Sequence, residues 1–270
     1  MSIIELISTE RLNTYRELTG SEKQAIALHN HTLQLASSLM SMIALLELAL
    51  RNATNQRLIE DFGDGEWLLP SSSTLPLRPQ ERRMISKAHS HAQRAMYAKL
   101  SYKEKAALDS KAFPNGVPTA ITHSKKVKAR QALFEVSHGQ VISQTTIAFW
   151  KRLYSSDYEN DLWKTSLKRV FPNKKLKRSQ ISKSLEVIYA ARNRVAHHEP
   201  VYGLRLEQTM DALTLIRNSI GTRSFEQDSS FKRFSKVLYL RLLMDYEGFK
   251  EAWDTLTVST LPNQPLTAAP

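Results

Sequence analysis

Apolar residues in this chain recur every three or four positions over long stretches, and no segment shows the alternation of a half-buried strand. Ser21 to about Asp61 reads as one long helix or two in close succession, with Leu35, Leu39, Met42, Ile43, Leu46 and Leu50 as one buried stripe, and Phe62-Gly63-Asp64-Gly65 ends it. Pro70 to Pro79, with three prolines and three serines, reads as a loop. A polar, charged helix is predicted from Gln80 to about Leu108, and Pro114-Asn115-Gly116-Val117-Pro118 makes a further break. Helical spacing returns over Ile142–Tyr154 and Asn160–Val170, where Phe171-Pro172-Asn173 stops it. Ser179 is the expected N-cap of a helix from about Gln180 to His198. Pro200 closes that helix by biasing Glu199 away from helical geometry. Two more helices are predicted, over about Leu204–Ser219 and Ser230–Trp253, followed by a frayed tail.

The pattern thus predicts an all-α fold, and composition agrees: only 8 glycines in 270 residues, with helix formers filling the long segments. With no cysteine, a disulfide framework, a thiolate nucleophile and a thiolate zinc site are all excluded. The amino end lacks a basic n-region and a small-residue cleavage site, so no secretory signal is expected. Leu39–Leu50 is the most apolar stretch and carries Glu47, too short for a bilayer that needs roughly 20 residues. A soluble, cytoplasmic protein with no membrane contact is the expectation.

Charge narrows the partner class. A formal net charge of +12 attracts polyanions, nucleic acid first among them, although a lysine-rich solubilising surface gives the same total. The excess is uneven, with 12 Lys/Arg against 5 Asp/Glu in residues 151–200. That block contains the basic run Lys174, Lys175, Lys177 and Arg178, and also the segment Arg192-Asn193-Arg194-Val195-Ala196-His197.

In that segment the stripe Ile181, Leu185, Ile188 continues by four and three onto Arg192 and Val195. An arginine on a predicted buried stripe implies a partner anion or a role; an interior salt bridge is the bland alternative. Asn193 and His197 are about 40° apart on a helix and share a face, whereas Arg192 and His197 are about 140° apart. Convergence on one substrate atom would then require two such helices, one from each subunit of a homodimer.

The residue types fit metal-free phosphodiester cleavage. RNA carries its own nucleophile, the 2′-hydroxyl, so a protein need supply only a proton acceptor, a proton donor and a cation for the phosphorane. Histidine titrates near neutrality and serves as acid or base. Arginine presents a planar fork that matches phosphate oxygens. Asparagine orients either group. The helix dipole favours protonated His197 while neighbouring cations oppose it. His198 projects about 100° away and reads as a helix-end residue in a supporting position.

At these residues the chain resembles the HEPN superfamily, whose signature is Arg, a polar residue and His at this spacing. More broadly, over about residues 20–220, it resembles the Abi-like (AbiD/AbiF) abortive-infection family. The shared pieces are Leu48-Ala49-Leu50-Arg51-Asn52, Phe62-Gly63 with Trp67-Leu68, Phe149-Trp150 with Leu153, Leu162-Trp163, Phe171-Pro172 and Arg192 through Tyr202. Thr145-Thr146-Ile147-Ala148 departs from a Leu-Ser-Phe-Gly-like run at that place.

The resemblance implies an all-α HEPN-type helical bundle with additional helices. Its core helices would cover about 21–61 and 141–220, with an accessory segment at about 70–140 and a helical tail at about 228–256, in one elaborated domain. It also implies a homodimeric, metal-independent endoribonuclease acting as a defence toxin, held by a noncoding RNA or protein antitoxin. Arg192 and His197 would be catalytic, with Asn193 supporting. Arg194 and the basic run join them as candidate RNA contacts. Arg51-Asn52, with no histidine at the matching offset, either braces the core or binds RNA.

A catalytically silent RNA-binding scaffold is the alternative reading. No cofactor or metal is expected: His29/His31 and His89/His91 lie about 200° apart on a helix, and no glycine-rich phosphate loop occurs. Phe149, Trp150 and Trp163 at helical spacing read as core, with base stacking as the alternative.

Overall fold

The computed structural model describes residues 6–69 and 74–257, and among these it contains twelve α-helices and no strand. The expected all-α class holds. The predicted tail and the first part of the Pro70–Pro79 loop lie outside the described residues. Two compact units partition the chain, Met1–Asn52 with Arg169–Pro270, and Ala53–Lys168.

The first unit begins with α1 (Thr9–Thr19) and most of the long helix α2 (Glu22–Phe62). Leu35, Leu39, Met42, Ile43, Leu46 and Leu50 are all at most 1% exposed, so the predicted stripe is its core face. Each such leucine contributes roughly 1.5–3 kcal/mol by leaving water. Over its most apolar 18 residues α2 has a mean hydropathy of 1.7, so by length and composition alone it could cross a membrane, contrary to the expectation from Leu39–Leu50. Burial of the stripe inside the protein is what a core helix requires.

The same unit continues with α9 (Arg178–Ala196), α10 (Gly203–Ser219), α11 (Ser230–Phe234) and α12 (Lys236–Leu256). Helices α9 and α10 pack together as a hairpin. On α12, the carboxylate of Asp245 accepts from Gln34 Nε2 (2.7 Å), from the Ser38 hydroxyl and from Arg241 Nε (2.9 Å), which ties α12 to α2. Burial alone would raise the Asp245 pKa; these hydrogen bonds outweigh it and hold the group below its usual range.

In the second unit, α3 (Pro79–Ala98), α4 (Tyr102–Ala107), α5 (Asp109–Ala112), α6 (His123–Ala132), α7 (His138–Ser143) and α8 (Ile147–Arg152) follow the end of α2. Trp67, Phe149 and Trp150 form its aromatic centre, with ring centroids 5.0–6.1 Å apart and at most 1% exposure. Trp67 Nε1 donates to Asn55 Oδ1 and Trp150 Nε1 to Thr145 Oγ1, so both indoles are buried with their donor satisfied. These aromatics are core and offer no face to a base. Trp163 is likewise buried.

Several predicted helices are shorter or broken. The helix expected over 80–108 stops at Ala98, and α4 restarts behind Ser101. The Ser101 hydroxyl accepts from Glu104 N (3.3 Å) while Glu104 Oε2 accepts from Ser101 N (2.7 Å). Ile142–Tyr154 is instead two short helices parted at Gln144–Thr146, the first started early by a second capping box, Ser137 with Gln140. Asn160–Val170 is a π turn at Glu159–Trp163 followed by a 3-10 turn at Leu167–Arg169.

The N-cap of α9 is Lys177 rather than Ser179, with Gln180 Oε1 accepting from Lys177 N (2.9 Å). Ser230–Trp253 breaks at Ser235. There Arg217 Nη2 donates to Lys232 O (2.9 Å), the carbonyl that a continuous helix would offer to Lys236 N, and Arg217 Nε donates to Ser235 Oγ (2.8 Å).

Candidate functional site

Helix α9 carries Arg192–Ala196 on its last turn, and His197 is its C-cap. The inward residues are Ile181, Leu185, Ile188, Ala191 and Val195. The stripe passes through Ala191 rather than Arg192, which is half-buried at the edge of the core face. The expectation of an arginine on a buried stripe is thereby corrected: an ideal period puts Arg192 only about 20° from Ile181, yet packing seats the small Ala191 against the core and leaves the long Arg192 at its edge. The interior salt bridge weighed for it is not formed. Among the described residues, the side chains of Arg192, Asn193, His197 and His198 make no hydrogen bond or ion pair. Asn193 is half-buried, while His197 and His198 are exposed.

What holds this segment is backbone geometry. His198 N donates to Val195 O (3.0 Å) and Glu199 N to Arg194 O (2.8 Å), the paired bonds of a Schellman turn. That turn requires a left-handed residue, and His198 supplies it at φ +57°. Glycine is the usual occupant; histidine is tolerated there at a cost of about 1 kcal/mol. Arg194 then binds the exit: its Nε donates to Pro200 O (3.3 Å) and its Nη1 pairs with Glu199 (3.0 Å). Its guanidinium is engaged in bracing the turn, so the expected RNA contact would have to displace a structural one.

Beyond the turn, Val201 is buried and the Tyr202 ring lies 5.0 Å from that of Trp253 on α12. Trp253 and Phe249 pack beside it, and a hollow of about 260 Å³ opens between Gly203, Tyr246, Lys250 and Trp253. Sequence reasoning assigned no part to Trp253 or Tyr246. Nothing local marks them, because α12 reaches the turn only through folding.

The remaining candidates are elsewhere. Lys174, Lys175 and Lys177 are exposed at the start of α9 and Arg178 is half-buried there. The 19 residues of α9 place the motif about 27 Å away. Closeness in sequence put charge and chemistry in one block, and the extended helix separates them. Arg51 and Asn52 lie on α2, where Arg51 Nε donates weakly to Asn52 Oδ1 (3.4 Å); neither side chain bonds to the motif among the described residues. There too, no three His, Asp or Glu side chains are gathered to hold a metal ion.

No protein-family model, no curated protein and no solved structure matches this chain.

Proposed function

We propose that the chain is a metal-independent RNA endonuclease of HEPN type, acting as a defence toxin in the cytoplasm. One observation carries the reading: Arg192, Asn193 and His197 crowd one helix end without side-chain partners among the described residues, on a turn that accepts backbone strain at His198. Polar side chains left unpaired on a strained, well-braced turn are a recurring mark of a working site.

In the proposed reaction His197 takes the proton from a ribose 2′-hydroxyl, whose oxygen attacks the adjacent phosphorus. The P–O5′ bond breaks, and a second protonated group returns a proton to the leaving 5′-oxygen. Arg192 binds the non-bridging oxygens as charge gathers on them, and Asn193 positions the imidazole or the phosphate. The products are a 2′,3′-cyclic phosphate and a free 5′-hydroxyl.

Arg192 and His197 point to different sides of one helix, so the acid and base are proposed to come from two copies of the turn in a homodimer. A noncoding RNA or a protein antitoxin would hold the toxin silent. The test is labelled RNA incubated with the protein in excess EDTA. Cleavage ending in cyclic phosphate, lost on His197→Ala with RNA affinity retained, supports the enzyme. RNA binding without cutting by the unaltered protein would leave the silent scaffold instead.

A further inference from the structure

Outside the α9 turn, a second group of cations in the first unit lies where α10 gives way to α11. Two hollows adjoin there. The larger, about 590 Å³, has Lys174, Lys175 and Arg223 on its wall against one carboxylate, Glu226, with Phe225 among them. Its neighbour, about 560 Å³, is lined by Arg217, Lys232, Lys236 and Arg233, the last paired with Asp228 (2.9 Å).

Both hollows are built rather than left over. Asn173, 4% exposed, accepts from Lys175 N (3.0 Å) and so fixes the direction of the lysine pair. Gly221 N donates to Val170 O (2.9 Å), bringing the following loop against that pair. Lys232 Nζ donates to the carbonyls of Phe225 and Gln227, and Arg223 N to Gln227 Oε1 (2.8 Å), which shapes the loop around the Phe225 ring. Arg217, 9% exposed, lies 4.2 Å over the Tyr239 ring and forms the floor of the second hollow.

Arg16, Arg57, Arg78, Arg130, Arg152 and Arg241 all have carboxylate partners. Lys174, Arg223 and Lys236 have none among the described residues. Lys174, Lys175 and Arg223 outnumber Glu226 in the first hollow, and like charges left in excess in a concavity favour the entry of a further anion. Phe225 is 39% exposed beside Lys174, Lys175, Arg223 and Glu226, a flat apolar face in a hollow of net positive charge. That pairing is how single-stranded nucleic acid is gripped, with the base on the ring and the phosphates on the cations.

We infer that the hollow around Phe225 is a single-stranded RNA site separate from the α9 turn. One base stacks on Phe225, its phosphates lie on Lys174, Lys175 and Arg223, and the strand continues towards Lys236. The identity of the polymer rests on the ribonuclease reading; the location does not. The site lies at the other end of the α9–α10 hairpin from His197, so it would anchor a strand remote from the scissile bond.

The experiment uses the full chain carrying His197→Ala and a fluorescent single-stranded RNA, with affinity followed against salt. Phe225→Ala should weaken binding about tenfold, and Phe225→Trp should preserve it. Lys174→Gln with Arg223→Gln should lower the salt slope by about 0.7 for each cation removed. All three side chains reach the surface, so unchanged melting temperatures are expected. If the parent binds RNA and both kinds of variant bind equally well, the site is wrong, whatever the cleavage assay shows.

Loss of affinity in the variants, with no cleavage by the unaltered protein, would uphold the site and remove the nuclease. No RNA affinity in the parent would overturn both. Equal competition by polyglutamate would also overturn the proposal, since a mere anion patch would not prefer a stacked base.

Discussion

Two polar regions of this protein show opposite treatments of charge. In the second unit Glu81 is fully buried, yet both its oxygens are occupied: Arg152 Nε donates to one (2.8 Å) and the Tyr158 hydroxyl to the other (2.7 Å). The Tyr158 oxygen in turn accepts from Arg78 N (2.8 Å), and Arg152 also reaches Asp157 (3.0 Å). Burial raises the Tyr158 pKa, and its bond to the carboxylate adds to that, so the phenol stays a donor. At the α9 turn of the first unit, the side chains of Arg192, Asn193 and His197 reach no partner among the described residues. A satisfied network is consistent with a structural part, whereas unpaired groups at solvent are free to meet a ligand. The buried cluster should therefore matter to stability and the exposed one to activity.

The largest separation is expected at His197. His197→Ala should lower RNA cleavage about a thousandfold, within the range for loss of a general acid or base, and leave the melting temperature within a degree or so. A matching loss of stability would erase the contrast.

Glu81→Ala should do the reverse, costing about 3 kcal/mol by leaving Arg152 and Tyr158 without their acceptor, or roughly 10 °C in melting temperature. Cleavage at a temperature where the variant remains folded should change little.

Acid sharpens the comparison further. His29, 6% exposed, lies 5.3 Å from the Tyr15 ring with its Nδ1 unpartnered. Burial, then the charge of Arg11, lowers its pKa. Burial also lowers that of His138, against the pull of Asp64 and Glu66. A histidine whose folded pKa is depressed binds fewer protons than the unfolded chain, so stability falls as pH drops below about 6.5, the unfolded value. Denaturation between pH 7 and pH 5 should show a shallower loss for His29→Phe than for the unaltered chain.

The smallest effect belongs to His198, where His198→Gly should stabilise by about 0.5–1 kcal/mol by relieving the left-handed backbone. A destabilised glycine variant would mean that the histidine side chain holds the turn after all.

Local pattern carried much of the fold. The α2 stripe, the stop at Phe62-Gly63 and the α10 helix are all local consequences of period and punctuation. The missed breaks at Ser101 and Ser137 were legible too, since Ser-x-x-Glu and Ser-x-x-Gln mark helix starts. The break at Ser235 was not, because it depends on Arg217, 18 residues earlier, reaching a carbonyl of the later helix. At the candidate site, the sequence named the cation, the amide and the imidazole. It misplaced Arg192 by one position around the helix and gave no sign of Trp253.

Chain order alone therefore determined the helical class, the buried faces and the crowding of Arg192, Asn193 and His197 at one helix end, because each depends on contacts within a few residues. Only the tertiary structure decided that Ala191 rather than Arg192 faces the core, that Trp253 meets Tyr202 beyond the turn, and that the basic run lies beside Phe225. Those outcomes depend on packing between segments far apart in the chain, which no local period encodes.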